Sequence, residues 1–460
     1  METFNEIVSA VGSFAWGPVM IALLFATGLL LSIGTKIVQY RKIGYAFKLL
    51  FSRKVEGDGD ISPFAALMTS LSATIGTGNI AGVATAIAIG GPGAVFWMWV
   101  TAVLGGATKF SEAVLAVRYR VTDELGEKSG GPMYYASRGM EEKYGGNWKW
   151  LGSAFALFAF VASFGIGNMV QSNSVADAVN QSLGVPHWVS GIVVAVATAL
   201  VVIGGIKSIA KVAEAIVPVM ALIYVAGSLW IIFANLEFLP RAFGWIFSNA
   251  FNGNAVGGGF LGTVVRMGVA RGVFSNEAGL GSAPIAHAAS KNNDPVRQGI
   301  IASLGSFIDT IVVCTMTALV IMISPVMKIG ADGLMVINNG LNGAALTTAA
   351  YNQALPGGFG QFIVSFGLVF FAYSTILTWY FYGYKSLEYL TNARVASYYK
   401  WVWVVLIFVG ATVPLSFVWS ISDAFNGLMA IPNLIALIAL SSVVFGMLKD
   451  YEGRLDKRGE

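Results

Sequence analysis

Between Pro63 and Ile89 the chain stays apolar for long enough to cross a bilayer. The middle of that run reads Ser72-Ala73-Thr74-Ile75-Gly76-Thr77-Gly78-Asn79-Ile80-Ala81-Gly82. A spanning helix needs about 20 apolar residues at roughly 1.5 Å each. Each glycine in its interior weakens it by about 1 kcal/mol relative to alanine. Backbone groups freed inside hydrocarbon cost several kcal/mol apiece unless something else binds them. An interruption here therefore implies a ligand, an ion or a water-lined cavity. A second apolar run carries Arg271-Gly272-Val273-Phe274-Ser275-Asn276-Glu277-Ala278-Gly279. Two broken helices in matching positions are the sequence pattern of a transporter's binding site.

Composition excludes a soluble chain: 56% of residues are hydrophobic and only 11% charged, with a mean hydropathy of +0.71. The net charge of +4 does not indicate nucleic-acid binding, because the basic residues fall in short loops between apolar runs. Cys314 is the single cysteine, so there is no disulfide framework. Glu2 and Glu6 stand where a cleaved signal peptide would be basic, so the first apolar run is expected to stay in the protein.

The apolar runs predict an all-α polytopic membrane protein with eleven spans at 16–38, 62–90, 93–118, 150–180, 186–205, 211–235, 258–286, 296–324, 358–386, 400–420 and 424–448. Lys and Arg crowd alternate loops (Lys36 to Lys54, Arg118 to Lys149, Lys207 and Lys211, Lys291 and Arg297, Lys385 to Lys400, Lys449 to Arg458), whereas the loops between hold Arg241 and Lys328. Basic loops stay in the cytoplasm, which places the N-terminus outside and the C-terminus inside. Setting 16–38 aside as an accessory helix leaves a 5+5 inverted repeat, 62–235 and 258–448, with a broken helix opening each half. The segments 238–257 and 326–357 are expected as short helices over the outer mouth or, equally, as plain surface loops. The mixed-charge loop 121–149 is expected to be solvated.

Each candidate site residue has a plain structural alternative. Gly78 and Gly82 fit a small-xxx-small packing face, but packing does not account for Thr74, Thr77 and Asn79 beside them. In the functional reading, freed amides at the half-helix start meet a carboxylate and freed carbonyls hold a cation. The G-x-G-x-x-A match at Gly76–Ala81 is no dinucleotide site, since no strand precedes it and no acidic residue lies about twenty positions on. Glu277 needs a cavity or a partner at bilayer depth, where an ionised carboxylate costs about 2.5 kcal/mol or more; Arg271 and Arg266 are the candidate partners, and substrate contact is the competing role. Phe274 is either a lid over a ligand or packing. Gly165, Gly167, Asn168, Gln171 and Asn173 suit either hydrogen bonds to a small zwitterion or interhelical polar contacts. Ser374, Thr375 and Thr378 could bond their own helix carbonyls or ligate a hard cation. Lys109 and Glu112 are expected to pair at i, i+3, and Asp309 is either a proton or sodium group or a carboxyl merely capped by its neighbours. His187 and His287 are expected in loops. No catalytic set, zinc spacing or P-loop appears, so the chain is not read as an enzyme.

The run Gly90-Gly91-Pro92-Gly93-Ala94-Val95-Phe96-Trp97-Met98-Trp99-Val100-Thr101-Ala102-Val103-Leu104-Gly105, with Gly-Gly-Pro-Met-Tyr-Tyr at 130–135 and Phe-Ser-Asn-Glu-Ala-Gly-Leu-Gly at 274–281, closely resembles the alanine/glycine:cation (sodium:alanine) symporter family. The resemblance implies a leucine-transporter-like fold in a cell membrane, sodium as coupling ion, and alanine and glycine as substrates, with no obligate protein partner. It also implies substrate contacts along Ile75–Asn79 (Gly76, Thr77, Gly78, Asn79) and at Phe274 and Ser275, to which the residues' own reading adds Thr74, Gly165, Gln171, Asn276 and Glu277 as candidate substrate contacts. By the same resemblance sodium would be held by Ser374 and Thr375 opposite the carbonyls of Ser72 and Ile75, and the local reading adds the hydroxyl of Thr378. Gly167 departs from the pattern, standing where relatives of that fold carry a bulky tyrosine. Proton coupling through Glu277 or Asp309 is the rival reading within transport, and an ion channel the rival from another class.

Overall fold

Ser62 starts the first broken helix: its hydroxyl accepts from the Ala65 amide at 2.9 Å, and Pro63 follows with no N–H to leave orphaned. In the computed structural model, which describes residues 10–52, 57–251, 259–329, 335–337, 340–413 and 416–457, this helix α2 (Pro63–Thr74) stops at Ile75, whose ψ of 100° is extended. Its continuation α3 (Gly78–Gly90) leaves at 49°. The first turn of α3 is a π turn, Gly78–Gly82.

The second broken helix differs from expectation in where it breaks. Its first half, numbered α9 below, runs unbroken from Gly259 to Asn276, so Arg271–Asn276 complete its last turns. The break falls at 277–282, where Glu277 takes φ +55°, Gly279 φ +89° and Gly281 φ +86°. Left-handed backbone is what stops a helix. The polar pair Ser275 and Asn276 does not stop it, because both side chains find partners on a neighbouring helix. A six-residue helix, Ala283–Ala288, with Pro284 in its first turn follows.

Around these stand α1 (Ala10–Gly34), α4 (Gly93–Arg118), α5 (Lys149–Leu183), α6 (His187–Val202) and α7 (Gly205–Ala234). Then come α8 (Leu239–Ala250), α9 (Gly259–Asn276), α10 (Ala283–Ala288), α11 (Pro295–Ile323), α12 (Gly343–Ala354), α13 (Phe359–Leu390), α14 (Ala393–Thr412), α15 (Ser416–Ala439) and α16 (Ser441–Asp456). Among the described residues eight helices are long and apolar enough to cross a membrane, or nine if α2 and α3 count as one bent span. Of the other expected spans, α6 is a shorter apolar helix and 258–286 is the second broken pair. The expected span 424–448 is divided, since α15 ends at Ala439 and α16 starts at Ser441.

The two broken helices lie antiparallel, α3 against α9 and α2 against α10. At one end the amides of Asp60 and Ile61 donate to the Ala289 carbonyl at 2.8 and 3.2 Å, and Lys291 N–H donates to Ile61 at 2.7 Å. That pairing brings both breaks to the same depth. α4 and α13 flank the pair. α1 packs outside on α4 and α15 and exposes Val19, Leu29 and Ile33, a face suited to lipid.

Two expectations about connecting segments meet different outcomes. Short helices do form at α8 and α12, and α12 reaches inward far enough for Thr347 to donate to the Ile80 carbonyl at 2.8 Å. The segment 121–149 is not a solvated loop. It holds a two-stranded hairpin, Val121–Thr122 with Lys128–Ser129, followed by helical turns that bury Met133 and Tyr135 completely.

Candidate functional site

Two asparagines set the geometry at the breaks. Asn79 Oδ1 accepts the Gly76 amide at 2.8 Å, and Asn276 Oδ1 accepts the Ala278 amide at 3.0 Å. Each caps its own break, and each points its –NH2 into α11. Asn79 Nδ2 donates to Asp309 Oδ1 at 2.8 Å and to the Asp309 carbonyl at 3.2 Å; Asn276 Nδ2 donates to Thr310 Oγ1 at 3.2 Å. Residues 307–314 of α11 form a π turn, the kind of wide turn that recurs at functional sites. Asp309 there accepts from Ser275 Oγ at 2.8 Å and Thr310 Oγ1 at 2.7 Å as well. Asn79, Ser275 and Asp309 thus form one buried oxygen-rich cluster joining both breaks, with Cys314 Sγ 3.3 Å from Asn79 Nδ2.

The site's opposite wall is α5. Its residues Ser163–Met169 also form a π turn, and Gln171 reaches back to donate to the Ile166 carbonyl at 2.9 Å. The same amide lies 3.4 Å from Thr77 Oγ1, while Gln171 Oε1 is buried with no partner. An orphaned acceptor on a side chain that reaches the first break is what a bound donor such as an ammonium would complete. The neighbouring amides of Thr77 and Gly78 open α3, where a first turn leaves its N–H groups without intrahelical partners.

A second cluster of oxygens lies beside the first break. Thr375 Oγ1 and Ser374 Oγ point at the Ser72 carbonyl at 2.9 and 3.4 Å, and both also bond the Phe371 carbonyl at 2.9 Å. Ser72 Oγ bonds Thr378 Oγ1. Ile75 is buried where α2 ends. Hydroxyl and carbonyl oxygens from two helices are the donor set a hard monovalent cation takes. Thr74 stays in its own helix, bonding the Leu71 carbonyl at 3.2 Å.

Phe274 covers the junction: a Cβ built on Gly78 would stand 3.3 Å from its ring and 3.1 Å from Ser275 Cα. Glycine at 78 lets the first break lie this close to the last turn of α9, where a Cβ would force its neighbours to give by a few tenths of an ångström. Across the site, a side chain at Gly165 would run into Ser422, and one at Gly167 into Trp379. Trp379, which sequence reasoning missed, fills the place a bulky residue at 167 would take, and its Nε1 donates to Glu277 Oε1 at 3.3 Å.

Several expected pairings are replaced. Glu277 accepts from Trp379 and Ser282, and neither Arg266 nor Arg271 forms an ion pair with it. Lys109 does not pair with Glu112 at hydrogen-bond distance. Glu112 Oε1 instead takes the Gly279 amide at 3.1 Å and Asn433 Nδ2 at 2.7 Å, and Lys109 Nζ is buried without a hydrogen-bond partner. His287 is not in a loop but buried in α10, 2.7 Å from Gln298, and His187 is the first residue of α6.

Comparison with known proteins agrees with this architecture. The family model described as "Sodium:alanine symporter family" matches residues 1–460. The sodium/alanine symporter AgcS of Methanococcus maripaludis is 51% identical over 450 residues, 97% of each chain. The probable sodium/glutamine symporter GlnT of Bacillus subtilis is 37% identical, covering 98% of this chain and 91% of that one. Among solved structures, MhsT in complex with L-phenylalanine superposes with a TM-score of 0.56 at 11% identity, over 85% of this chain and 98% of that one. The Eremococcus coleocola manganese transporter superposes at 0.52 with 14% identity, over 85% and 82%. Those two carry the fold alone, a leucine-transporter-like one. The chain is a membrane symporter, not an enzyme, and it belongs to the sodium:alanine symporter family.

Proposed function

We propose that this protein couples sodium entry to uptake of small neutral amino acids, alanine and glycine, by alternating access across the cell membrane. Eleven spans, an outside N-terminus and a cytoplasmic C-terminus follow from the basic loops, and α2–α7 and α9–α15 are the two inverted halves. The observation that carries the reading is the Ser72 carbonyl facing the hydroxyls of Ser374 and Thr375 at 3.4 and 2.9 Å, directly under the first break. Sodium bound by these groups with Ile75 and Thr378 would tie α2 to α13.

The substrate carboxylate meets the amides around Thr77, Gly78 and Asn79, next to the Gly76 amide that Asn79 Oδ1 already holds. Its ammonium meets Gln171 Oε1, the hydroxyl of Thr77 and the carbonyl end of α9 at Phe274, Ser275, Asn276 and Glu277. Thr74 shapes the entry to the break through its helix turn. One methylene changes binding by only about 1–3 kcal/mol, so a limit to small side chains requires a wall that clashes. Trp379 packed on Gly167, with Ser422 on Gly165, is that wall. Each sodium entering down 100 mV contributes about 2.3 kcal/mol, roughly fiftyfold in accumulation. The test is uptake into proteoliposomes of glycine, both alanine enantiomers and leucine. Sodium-dependent accumulation of the small substrates is expected, and alanine accumulation unchanged in choline overturns the coupling. Glu277 and Asp309, carboxyls buried at the breaks, carry one alternative, in which a proton serves in place of sodium; uptake that follows pH and ignores sodium would select it.

A further inference from the structure

Ser13, Gly17, Pro18, Ile21, Ala22 and Phe25 recur along α1 at i, i+4, i+5, i+8, i+9 and i+12, a single stripe of the helix. That stripe, with Trp97 of α4 and Arg266 of α9, walls a groove of about 750 Å³. Pro18, Ala22 and Gly262 are exposed along it, so it opens to whatever surrounds the bundle. Its two ends differ in chemistry. Ser13 and Arg266 form a polar end, and both also line the cavity that leads in toward Asp423. Ile21 and Phe25 form the apolar end with Trp97, whose ring meets that of Phe25 edge to face with centroids 6.3 Å apart. The Trp97 indole N–H is already bonded to the Ala250 carbonyl at 3.1 Å, so what it offers the groove is apolar ring.

The depth of the groove follows from α9. Arg266 precedes Phe274 by eight positions in one unbroken helix, about 12 Å at roughly 1.5 Å per residue. Phe274 lies at the breaks, which transporters built on broken helices hold near the bilayer midplane. Hydrocarbon reaches about 15 Å from the midplane, so the guanidinium, on its long stem, arrives at the boundary where lipid phosphates begin. Ser13 and Phe25 stand about 18 Å apart along α1, the span of one leaflet and not of the whole membrane.

The charge at the polar end is unanswered. Arg266 is exposed, and among the described residues no carboxylate lies at ion-pairing distance from it and none of its N–H groups has an acceptor. Arg241 of α8, by contrast, lies over the rings of Phe238 and Trp245 at 5.0 and 4.7 Å. A lone guanidinium at the head of an apolar channel is the complement of a phosphate at the head of an acyl chain, and guanidinium takes phosphate bidentately. We infer that this groove binds one anionic phospholipid of the outer leaflet, its phosphate on Arg266 and an acyl chain laid between α1 and α9. The leaflet follows from the proposed orientation; the site itself does not depend on which solute or ion is carried. A lipid seated there joins the accessory helix to the half-helix that carries Phe274.

The experiment counts lipids on the detergent-purified full chain by native mass spectrometry, after titration with phosphatidylglycerol or with phosphatidylcholine of the same acyl chains. The unaltered protein should retain one phosphatidylglycerol with about fivefold preference over phosphatidylcholine, the weight of one arginine at an anionic lipid surface. Arg266→Gln should bring the two lipids level, Arg266→Lys should keep part of the preference, and Arg241→Gln should keep all of it. Gly262→Trp puts a ring into the groove from a position where a Cβ meets nothing within 4 Å, and should displace the lipid whatever its head group. A melting temperature in lipid-free detergent close to that of the unaltered protein shows each variant folded. The inference is overturned if the unaltered protein retains no lipid, if Arg266→Gln keeps the preference, if Arg241→Gln loses it equally, or if Gly262→Trp leaves retention intact. A change of oligomeric state in Gly262→Trp with bound lipid unchanged also overturns it, because a second copy of the chain then covers the groove.

Discussion

Replacing Lys385 with methionine tests how one end of the bundle is held shut. The Lys385 Nζ, 1% exposed, lies 2.8 Å from Asp123 Oδ2, 2.9 Å from Glu388 Oε2 and 3.5 Å from Glu127 Oε2. Ser129 Oγ accepts from it at 2.9 Å and donates to Glu388 Oε1 at 2.6 Å. Asp123, Glu127 and Ser129 belong to the 121–129 hairpin, and that hairpin also holds the ends of both broken helices. Beside it, Arg120 donates to the carbonyls of Ser290 at 2.6 Å, Ala288 at 3.0 Å and Asp58 at 3.1 Å, and the Lys128 amide donates to Asp60 at 2.8 Å. One ammonium therefore fastens the α2 entrance and the α10 exit, by way of the hairpin, to the helix that carries Ser374 and Thr375.

Methionine keeps the packing stem and removes the charge, so Asp123 and Glu388 are left buried without a cation. Breaking a buried ion pair from one side costs about 3–5 kcal/mol. At 1.36 kcal/mol per decade, the lower figure is about a hundredfold in the closed-to-open ratio. Hydrogen exchange read peptide by peptide should show protection of 119–131 and 288–294 falling by about that factor, with α5 unchanged. Removing the whole cluster (Lys385→Met with Asp123→Asn and Glu388→Gln) should recover part of the protection, because no uncompensated charge remains. Unchanged exchange of the hairpin in Lys385→Met, or a triple variant looser than the single, would refute the reasoning.

Three further outcomes follow from the same geometry. Ser374→Ala and Thr375→Ala should each raise the sodium concentration for half-maximal uptake about three- to tenfold, the weight of one hydroxyl contact, with alanine affinity at saturating sodium retained; a sodium titration of uptake reads both. Gly78→Ala places a Cβ 3.1 Å from Ser275 Cα, so it should lower stability by about 1–3 kcal/mol through overpacking and abolish transport in a protein that thermal melting still shows folded. Burial pushes the Asp123 carboxyl up, but Lys385 and the amides of Glu127 and Leu125 outweigh it and hold it below the ordinary carboxylate range. Such a group contributes stability above its unfolded pKa and loses it as pH falls through the lower, folded one, so hairpin protection should be level near neutrality and fall in acid.

What the sequence made legible was whatever is decided within a few residues. Apolar run length marks the spans, and Gly76 and Gly78 mark the first break, because a backbone that cannot hold a helix shows it locally. The second break was displaced for an instructive reason. Ser275, Asn276 and Glu277 look like the interruption, yet a polar side chain ends a helix only when it has nowhere else to bond, and α11 offers Asp309 and Thr310 to the first two. The signal present but underweighted was Gly279 with Gly281, the residues that take positive φ. Lys109 failed differently. Its i, i+3 spacing to Glu112 is a rule for solvated helix surfaces, and in this interior the Glu112 carboxylate is claimed by Gly279 and Asn433, 167 and 321 residues away. Nothing local could have shown Trp379 standing in the space beside Gly167. The same physics explains both the success and the failures. In a membrane interior every polar group must be answered, so its presence is easy to notice, whereas the group that answers it is chosen by the fold. A binding site is a place where the fold supplies one answer too few, and Gln171 Oε1, on a side chain that reaches the first break, is one of the buried acceptors to which no described residue donates.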